Sequence, residues 1–150
     1  MIFDKAYIPY GAYWSSPFSK WQGSFGHLNA IEFAADIARK ALEERKISAE
    51  VFDGLCLGLT IPQHHCFYGA PWAAALVGNP GISGPTIAQA CATSARAMVW
   101  AAQEVDDGTH ENVLVLTADR CSNGPHLYYP APHAPGATGK SENWVMDNFG

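Results

Sequence analysis

The sequence lacks several features that would assign it to particular classes of protein. Its 150 residues contain no apolar run near the ~18 residues that a membrane-spanning helix needs, so no membrane span is expected. The opening Met1-Ile2-Phe3-Asp4-Lys5 lacks the basic-then-apolar pattern of a secretory signal, so export is not expected. With 9 basic and 14 acidic residues, the net charge of −5 argues against nucleic-acid binding.

Cysteine is sparse and has no paired spacing. The four cysteines lie far apart in the sequence: Cys56, Cys66, Cys91 and Cys121. Such spacing argues against a disulfide framework and favours a reduced, cytoplasmic compartment. Histidines and cysteines at 64–66, 121, 126 and 133 show no CxxC or HxxxH spacing, so no metal site is predicted. A GxSxG elbow is also missing, which argues against Ser94 or Ser122 as a hydrolase nucleophile.

The apolar pattern predicts an α/β layered domain, in which buried strands alternate with helices. Asn29 is placed to cap a helix that ends near Arg45, with Glu32 completing a capping box. Gly108 is predicted to end a later helix. The predicted strands lie at 6–10, 54–61, 84–90 and 112–117, and the predicted helices at 29–45, 71–77 and from 91 onward.

The last part of the chain has a different composition. From Asn123 onward, prolines, glycines and aromatic residues are crowded together, which predicts an excursion across a surface or into a neighbouring domain. The predicted division is therefore one α/β unit at 1–122 and an incomplete second unit at 123–150. Because the sequence stops soon after the apolar Trp144-Val145-Met146, we expect the folded protein to need further chain or a second polypeptide.

Cys91 is the best candidate for a chemical role. It follows an apolar, β-prone run and opens an alanine-rich helical run, so it is predicted to lie on a strand-to-helix elbow. The unpaired N–H groups and the positive dipole at a helix N-terminus favour a thiolate, which is the nucleophilic form of cysteine. The sequence therefore indicates covalent catalysis through Cys91. Cys56 lies within a predicted strand and is interpreted as a core residue, and Cys121 is only a weak candidate for a direct role.

The segment from Gln89 to Ala97, QACATSARA, resembles the nucleophile motif of the thiolase family. Three further segments resemble other parts of that family: Val51–Gly58, Leu76–Gly81 and Val113–Pro125. There are departures, since Thr93 and Ser94 stand where the family usually has serine and glycine. The family's Arg-Thr-Pro is not visible near the start, and Asp119-Arg120-Cys121 replaces its Gly-Met-Glu.

The resemblance implies the first α/β half of a thiolase-like layered fold with the start of its inserted loop domain. The C-terminal half, which in the family carries the activating histidine, an oxyanion site and a second cysteine, would be absent, and the chain alone would be inactive or nearly so. We favour a fragment or cleaved chain over a true subunit. The implied partners are acyl-CoA, CoA as co-substrate, the missing half and other copies in a dimer or tetramer, with no permanently bound cofactor.

The implied activity is that of an acyl-CoA C-acyltransferase, which cleaves a 3-ketoacyl-CoA or runs the reverse Claisen condensation through a cysteine acyl-enzyme. The alternatives are a condensing relative, of the ketoacyl synthase or hydroxymethylglutaryl-CoA synthase type, and a non-catalytic thiolase-like scaffold. The sequence assigns no residue to CoA binding. Five aromatic residues are interpreted either as the lining of an acyl or pantetheine tunnel or as plain loop packing: Trp14, Trp21, Tyr128, Tyr129 and Trp144.

Overall fold

The computed structural model describes residues 2–149, which form a three-stranded parallel sheet with helices and a separate two-stranded antiparallel sheet. The helices are α1 (Ala30–Glu44), α2 (Gly69–Val77), α3 (Thr93–Asp106) and α4 (Trp144–Phe149). The strands are β1 (Gly54–Gly58), β2 (Thr86–Ile87), β3 (Val113–Thr117), β4 (His126–Ala131) and β5 (Ala134–Asn143). Short 3-10 turns lie at Ala49–Val51, Cys66–Tyr68 and Ala90–Ala92. The α/β fold class predicted from the sequence is confirmed.

β1 is the central strand of the parallel sheet, in the order β2-β1-β3. Gly54 to Gly58 pair in register with Val113 to Thr117, and Gly58 also pairs with Ile87. Because all three strands are parallel, their carboxyl ends meet at one edge of the sheet. In open α/β sheets, ligands bind outside that edge.

One face of the sheet carries the main hydrophobic core. Leu55 and Leu57 of β1 have no exposed surface, and they cluster with Leu114 and Leu116 of β3. The same cluster contains the buried faces of α1 and α2, including the fully buried Ala38, Ala73 and Ala74. These two helices therefore cover the leucine-rich face of the sheet.

The opposite face of β1 is made of small residues. Since side chains alternate along a strand, Gly54, Cys56 and Gly58 share this face. A Cβ added to Gly58 would lie 2.9 Å from Thr93 Cγ2, and one added to Gly54 would lie 2.7 Å from His110 Cδ2. The beginning of α3 and the loop after it can thus approach the strand this closely only because both positions are glycine.

The Asn29 cap of α1 is confirmed. Asn29 Oδ1 accepts hydrogen bonds from the backbone N–H of Ile31 at 2.9 Å and of Glu32 at 3.4 Å. The helix ends at Glu44, and Arg45 beyond it donates to the carbonyl of Gly11 at 2.7 Å, which ties the N-terminal segment to the helix.

Two predicted strands differ from the structure. No strand forms within residues 2–28, so the strand predicted at 6–10 is wrong; Asp106 instead accepts the backbone N–H groups of Asp4 and Lys5, both at 2.8 Å. The strand predicted at 84–90 is reduced to β2, because Pro85 has no N–H to donate and Ala90 adopts a positive φ of 45°.

Two further elements are shorter than predicted. β1 ends at Gly58 rather than at 61, and α3 begins at Thr93 rather than at Cys91. Gly108, with φ of 78°, follows the C-cap of α3 and ends the helix as predicted.

The region after 123 is more regular than the sequence indicates. β4 and β5 form an antiparallel hairpin with register shifts next to Pro130, where a strand loses a hydrogen-bond donor. This hairpin forms its own sheet, and the division at 122 stays a prediction. Among the helices of the described residues, none combines the length and the apolar character needed to cross a membrane.

Candidate functional site

Cys91 lies in the 3-10 turn Ala90–Ala92, which leads directly into α3. Ala92 is the N-cap of the helix, so Cys91 precedes the cap by one residue and its side chain is exposed. The predicted elbow is therefore present, with a 3-10 turn in place of the first turn of helix. Ala90, directly before the cysteine, has φ of 45°, which is uncommon for a residue other than glycine.

The Thr93 side chain closes the elbow. Its hydroxyl oxygen accepts the backbone N–H of Gln89 at 2.7 Å and donates to the carbonyl of Ala90 at 2.8 Å. The backbone of the turn adds a bond of 3.0 Å from the N–H of Ala92 to the carbonyl of Gln89. Thr93 is 6% exposed, so this polar group is buried with its hydrogen bonds made.

A cavity of about 270 Å³ opens beside Cys91, at the edge where the parallel strands end. The residues that line it come from β1, the elbow, α3 and the end of β3: Gly58, Ala90, Cys91, Thr93, Ser94, Thr117, Ala118 and Asp119. The predicted nucleophile thus faces a site of the kind that α/β sheets use for ligands.

Asp119 is the acidic residue that lines this cavity, and its carboxylate is already bonded to backbone. One oxygen accepts the N–H groups of Thr60 at 2.8 Å and of Ile61 at 2.9 Å, and the other accepts the Thr60 hydroxyl. These bonds join the loop after β1 to the end of β3. Asp119 therefore helps to shape the wall of the cavity by holding the loop after β1 against the end of β3.

Two of the other cysteines, Cys56 and Cys121, have surroundings that favour the thiol form. Burial raises the pKa of the Cys56 thiol to about 11. Burial of the sulfur and then the negative charge of Asp119 raise the pKa of Cys121. Cys66 is half-buried in its 3-10 turn, and all four cysteines are free of disulfides. The interpretation of Cys56 as a core residue agrees with its complete burial.

The aromatic residues considered for a tunnel do not gather at Cys91. The Arg45 guanidinium lies over the Trp14 ring, 5.6 Å from the ring centre. Trp21 lines a second cavity of about 130 Å³. Tyr129 is exposed on the hairpin and donates its hydroxyl to Glu142 at 2.9 Å. None of these five side chains lines the cavity beside Cys91, and the choice between a tunnel and loop packing stays a prediction.

Other sequence-level candidates have simpler roles. Ser122 is buried and accepts the N–H of Gln22 at 2.7 Å, which makes it a structural hydroxyl. Ser94 is exposed on the cavity wall. Among the residues that the structure describes, no three His, Cys, Asp or Glu side chains come together as a metal site.

The sequence reasoning missed the roles of Thr93, Asp119 and Gly58. Thr93 and Asp119 were visible only as departures from a motif, and Gly58 only as the end of an apolar run. A carboxylate directly after a buried parallel strand is a usable signal, because the neighbouring strand leaves unpaired N–H groups at the same edge. Nothing in the sequence indicates that the methyl group of Thr93 faces Gly58.

A comparison with protein-family models matches residues 13–146 to a family described as "Thiolase, N-terminal domain". A search of curated proteins finds no significant match.

Solved structures resemble the chain at low identity. Bacillus anthracis acetyl-CoA acetyltransferase is 21% identical with a TM-score of 0.76, over 88% of this chain and 34% of that one. Human mitochondrial 3-ketoacyl-CoA thiolase in complex with CoA is 19% identical with a TM-score of 0.69, over 85% and 33%. Acetyl-CoA acetyltransferase from Syntrophomonas wolfei is 24% identical with a TM-score of 0.67, over 75% and 28%. The chain thus spans about a third or less of each of these structures.

Proposed function

The chain belongs to the thiolase family, and on that premise we propose that it supplies the nucleophilic cysteine of an acyl-CoA C-acyltransferase. One observation carries the proposal: Cys91 is exposed on an elbow before α3 and faces a cavity at the carboxyl edge of the parallel sheet. An exposed thiol in such a position suits nucleophilic attack.

In the proposed cleavage, the Cys91 thiolate attacks the keto carbon of a 3-ketoacyl-CoA. The bond between C2 and C3 breaks, the shortened acyl group stays on the sulfur as a thioester, and the C2 carbanion takes a proton to leave as acetyl-CoA. The thiol of a second CoA, deprotonated by a base, then attacks the thioester. Acyl-CoA leaves, and the Cys91 thiolate is regenerated. The condensing direction reverses these steps, and either direction gives ping-pong kinetics.

Part of this machinery would come from outside the chain. The backbone N–H of Cys91 is proposed as one donor to the oxyanion that forms during attack. The second donor, the base and the acid that protonates the leaving carbanion are assigned to the C-terminal half, in a longer protein or a second polypeptide. Residues 1–150 by themselves are therefore proposed to have little or no activity.

Coenzyme A is the proposed co-substrate. A solved neighbour, human mitochondrial 3-ketoacyl-CoA thiolase, contains CoA, which supports this choice. The four free cysteines support a reducing compartment, and we place the enzyme in the cytoplasm.

The test is to trap the acyl-enzyme in the complete assembly. Incubation with acetyl-CoA or acetoacetyl-CoA, an acid quench and peptide mass spectrometry should find the acyl group on Cys91. Cys91→Ser should abolish the adduct and the thiolysis activity while leaving the melting temperature nearly unchanged, because the two side chains have similar volumes. An adduct on another residue, or substantial turnover by the serine variant, would contradict the proposal.

The same experiment separates two alternatives. A condensing relative would acylate Cys91 but would not cleave a 3-ketoacyl-CoA with added CoA. A scaffold subunit would form no adduct in its native assembly.

The proposed enzyme is also a homo-oligomer, either a dimer or a tetramer. Among the described residues β2 is an edge strand, and 85–90 carries no charged side chain that would oppose pairing with another copy. Ile87→Lys should weaken a twofold contact at this edge twice over, once from each copy. Sedimentation of the complete protein should then show dissociation. An unchanged oligomer with full activity would show that β2 is not at the interface.

A further inference from the structure

We propose that Thr93 is a positioning residue, whose hydroxyl holds the elbow in the conformation that presents Cys91 to the cavity. This inference rests on the proposed function and adds a specific residue to it. Thr93 does not have to touch the substrate in order to act in this way, because it acts through the backbone on either side of the nucleophile.

The hydroxyl joins two backbone groups that precede Cys91. It accepts from the N–H of Gln89 at 2.7 Å and donates to the carbonyl of Ala90 at 2.8 Å. The Ala90 carbonyl also accepts the backbone N–H of Thr93, so it keeps one partner if the hydroxyl is removed. Without the hydroxyl, the N–H of Gln89 would lose its hydrogen bond to Thr93.

The backbone at Ala90 needs such support. Its φ of 45° lies in the left-handed region, where the Cβ of an L-residue crowds its own backbone. Conformations of this kind persist when the surrounding structure determines them, and they are common at functional sites. The Thr93 hydroxyl bonds to the residue itself and to the residue before it, which restricts the rotations that would let Ala90 relax. Relaxation there would turn the Cys91 side chain away from its present direction.

The methyl group of the same side chain has a separate role. Thr93 Cγ2 lies against β1, at 2.9 Å from the position that a Cβ on Gly58 would occupy. Thr93 is 6% exposed, so this contact is part of the packing between α3 and the sheet. The hydroxyl therefore orients the elbow while the methyl group fills space, and the two roles can be separated by substitution.

Two variants divide these roles. Thr93→Val keeps the methyl packing and removes the hydroxyl, whereas Thr93→Ser keeps the hydroxyl and removes the methyl group. Thr86→Val is the matched control: the Thr86 hydroxyl also accepts a backbone N–H, from Ala70 at 3.1 Å, but this bond joins β2 to the start of α2 rather than to the elbow. All three variants are made in the complete protein, and each is compared with the wild type.

Three measurements are made for every variant: the single-turnover rate of acyl-enzyme formation over a range of acetyl-CoA concentrations, which also gives KM, the rate of Cys91 alkylation by iodoacetamide, and the melting temperature. Thr93→Val should slow acylation about tenfold or more with little change in KM, because a misplaced nucleophile costs rate rather than ground-state binding. It should also slow alkylation of Cys91. Thr93→Ser keeps the hydroxyl and its hydrogen bonds, so it should acylate within about twofold of the wild-type rate. The loss of the methyl packing should lower its melting temperature. Thr86→Val should lower the melting temperature without slowing acylation.

The inference is overturned if Thr93→Val acylates and alkylates at the wild-type rates. If that variant does not fold, Thr93→Ser decides by itself: a wild-type acylation rate supports the inference, and a tenfold loss shows that the methyl packing controls the site. If the wild type forms no acyl-enzyme, the proposed function fails. The alkylation rates then decide the role of Thr93, with slower alkylation of the valine variant supporting it and equal rates overturning it.

Discussion

The two faces of β1 are built from different kinds of side chain. On one face, Leu55 and Leu57 fill the space between the strand and the α1–α2 layer. On the other, Gly54, Cys56 and Gly58 leave so little bulk that α3 and the loop after it reach the strand itself. The first arrangement removes a large apolar area from water and stabilises the fold. The second brings the elbow with Cys91 to the end of the strand, so the face with less side-chain bulk determines where the thiol lies.

The largest expected contrast is between the two cysteines on that side of the sheet. Cys91 is exposed, whereas Cys56 is fully buried and its pKa is raised to about 11. Iodoacetamide reacts with the thiolate and must reach the sulfur, and both the burial and the raised pKa of Cys56 oppose its reaction, so at pH 7.5 Cys91 should be labelled many times faster than Cys56. Labelling of Cys56 in the folded protein should increase only as the pH approaches 11. Timed quenching and peptide mass spectrometry give both rates, and equal rates would refute the assignment of Cys91 as the reactive thiol.

The leucine-rich face of the sheet should control the stability of the fold without controlling the reactivity of Cys91. Leu57→Ala removes a side chain with no exposed surface, and the cavity that it leaves should cost about 2–5 kcal/mol in the free energy of unfolding. Chemical denaturation measures this loss. The alkylation rate of Cys91 in the folded variant should match the wild type, and Val51→Ala, at a residue that is 48% exposed, is the control with little effect. A change in Cys91 reactivity that accompanies the stability loss would show that the two faces are coupled.

The stability of the fold should be sensitive to side-chain bulk added on the opposite face of β1, which carries Gly54, Cys56 and Gly58. Gly58→Ala places a methyl group 2.9 Å from both Thr93 Cγ2 and Thr117 Cγ2, and such overpacking should cost about 1–3 kcal/mol. Thr93→Ser removes one of the two clashing methyl groups, so the double variant should be more stable than the sum of the single changes predicts.

A control for this prediction is Gly81→Ala, where the nearest atom would lie at an ordinary 3.6 Å and stability should hardly change. Strict additivity of Gly58→Ala and Thr93→Ser in denaturation would mean that the two sites relax independently of each other.

The smallest effect is expected at the N-terminus of α1, one of the two helices that cover the leucine-rich face of the sheet. Asn29→Ala removes the acceptor for Ile31 and Glu32 and should cost about 1 kcal/mol. Asn29→Asp keeps a cap acceptor but loses the bond from Asn29 Nδ2 to the carbonyl of His64 at 3.0 Å, so its loss should be smaller. Thermal unfolding compares the two variants. Both variants lose the bond to His64, so a larger loss for aspartate than for alanine would contradict the assignment of the Asn29 side chain as a stabilising cap.

Local sequence patterns were sufficient to predict the structural features that depend on interactions between neighbours in sequence. The Asn29 cap, the amphipathic face of α1 and the glycine after α3 depend on residues within a few positions of each other, so the helix ends were predicted to within a residue or two. The predicted strand at 6–10 failed because an apolar run forms a strand only if another strand is free to pair with it. Pairing is a tertiary property, and the backbone near this segment is bonded to Asp106 instead.

By itself, the sequence determined the alternation of strands and helices, and the elbow that leads from an apolar run into α3 with Cys91 in it. These follow from side-chain periodicity and from the preferences of helix ends. The tertiary structure decided what surrounds the thiol: Asp119 reaches Thr60 across 59 positions of sequence, and Thr93 packs on Gly58. Such contacts depend on how β1 and β3 align and how closely α3 approaches them, which no local pattern encodes.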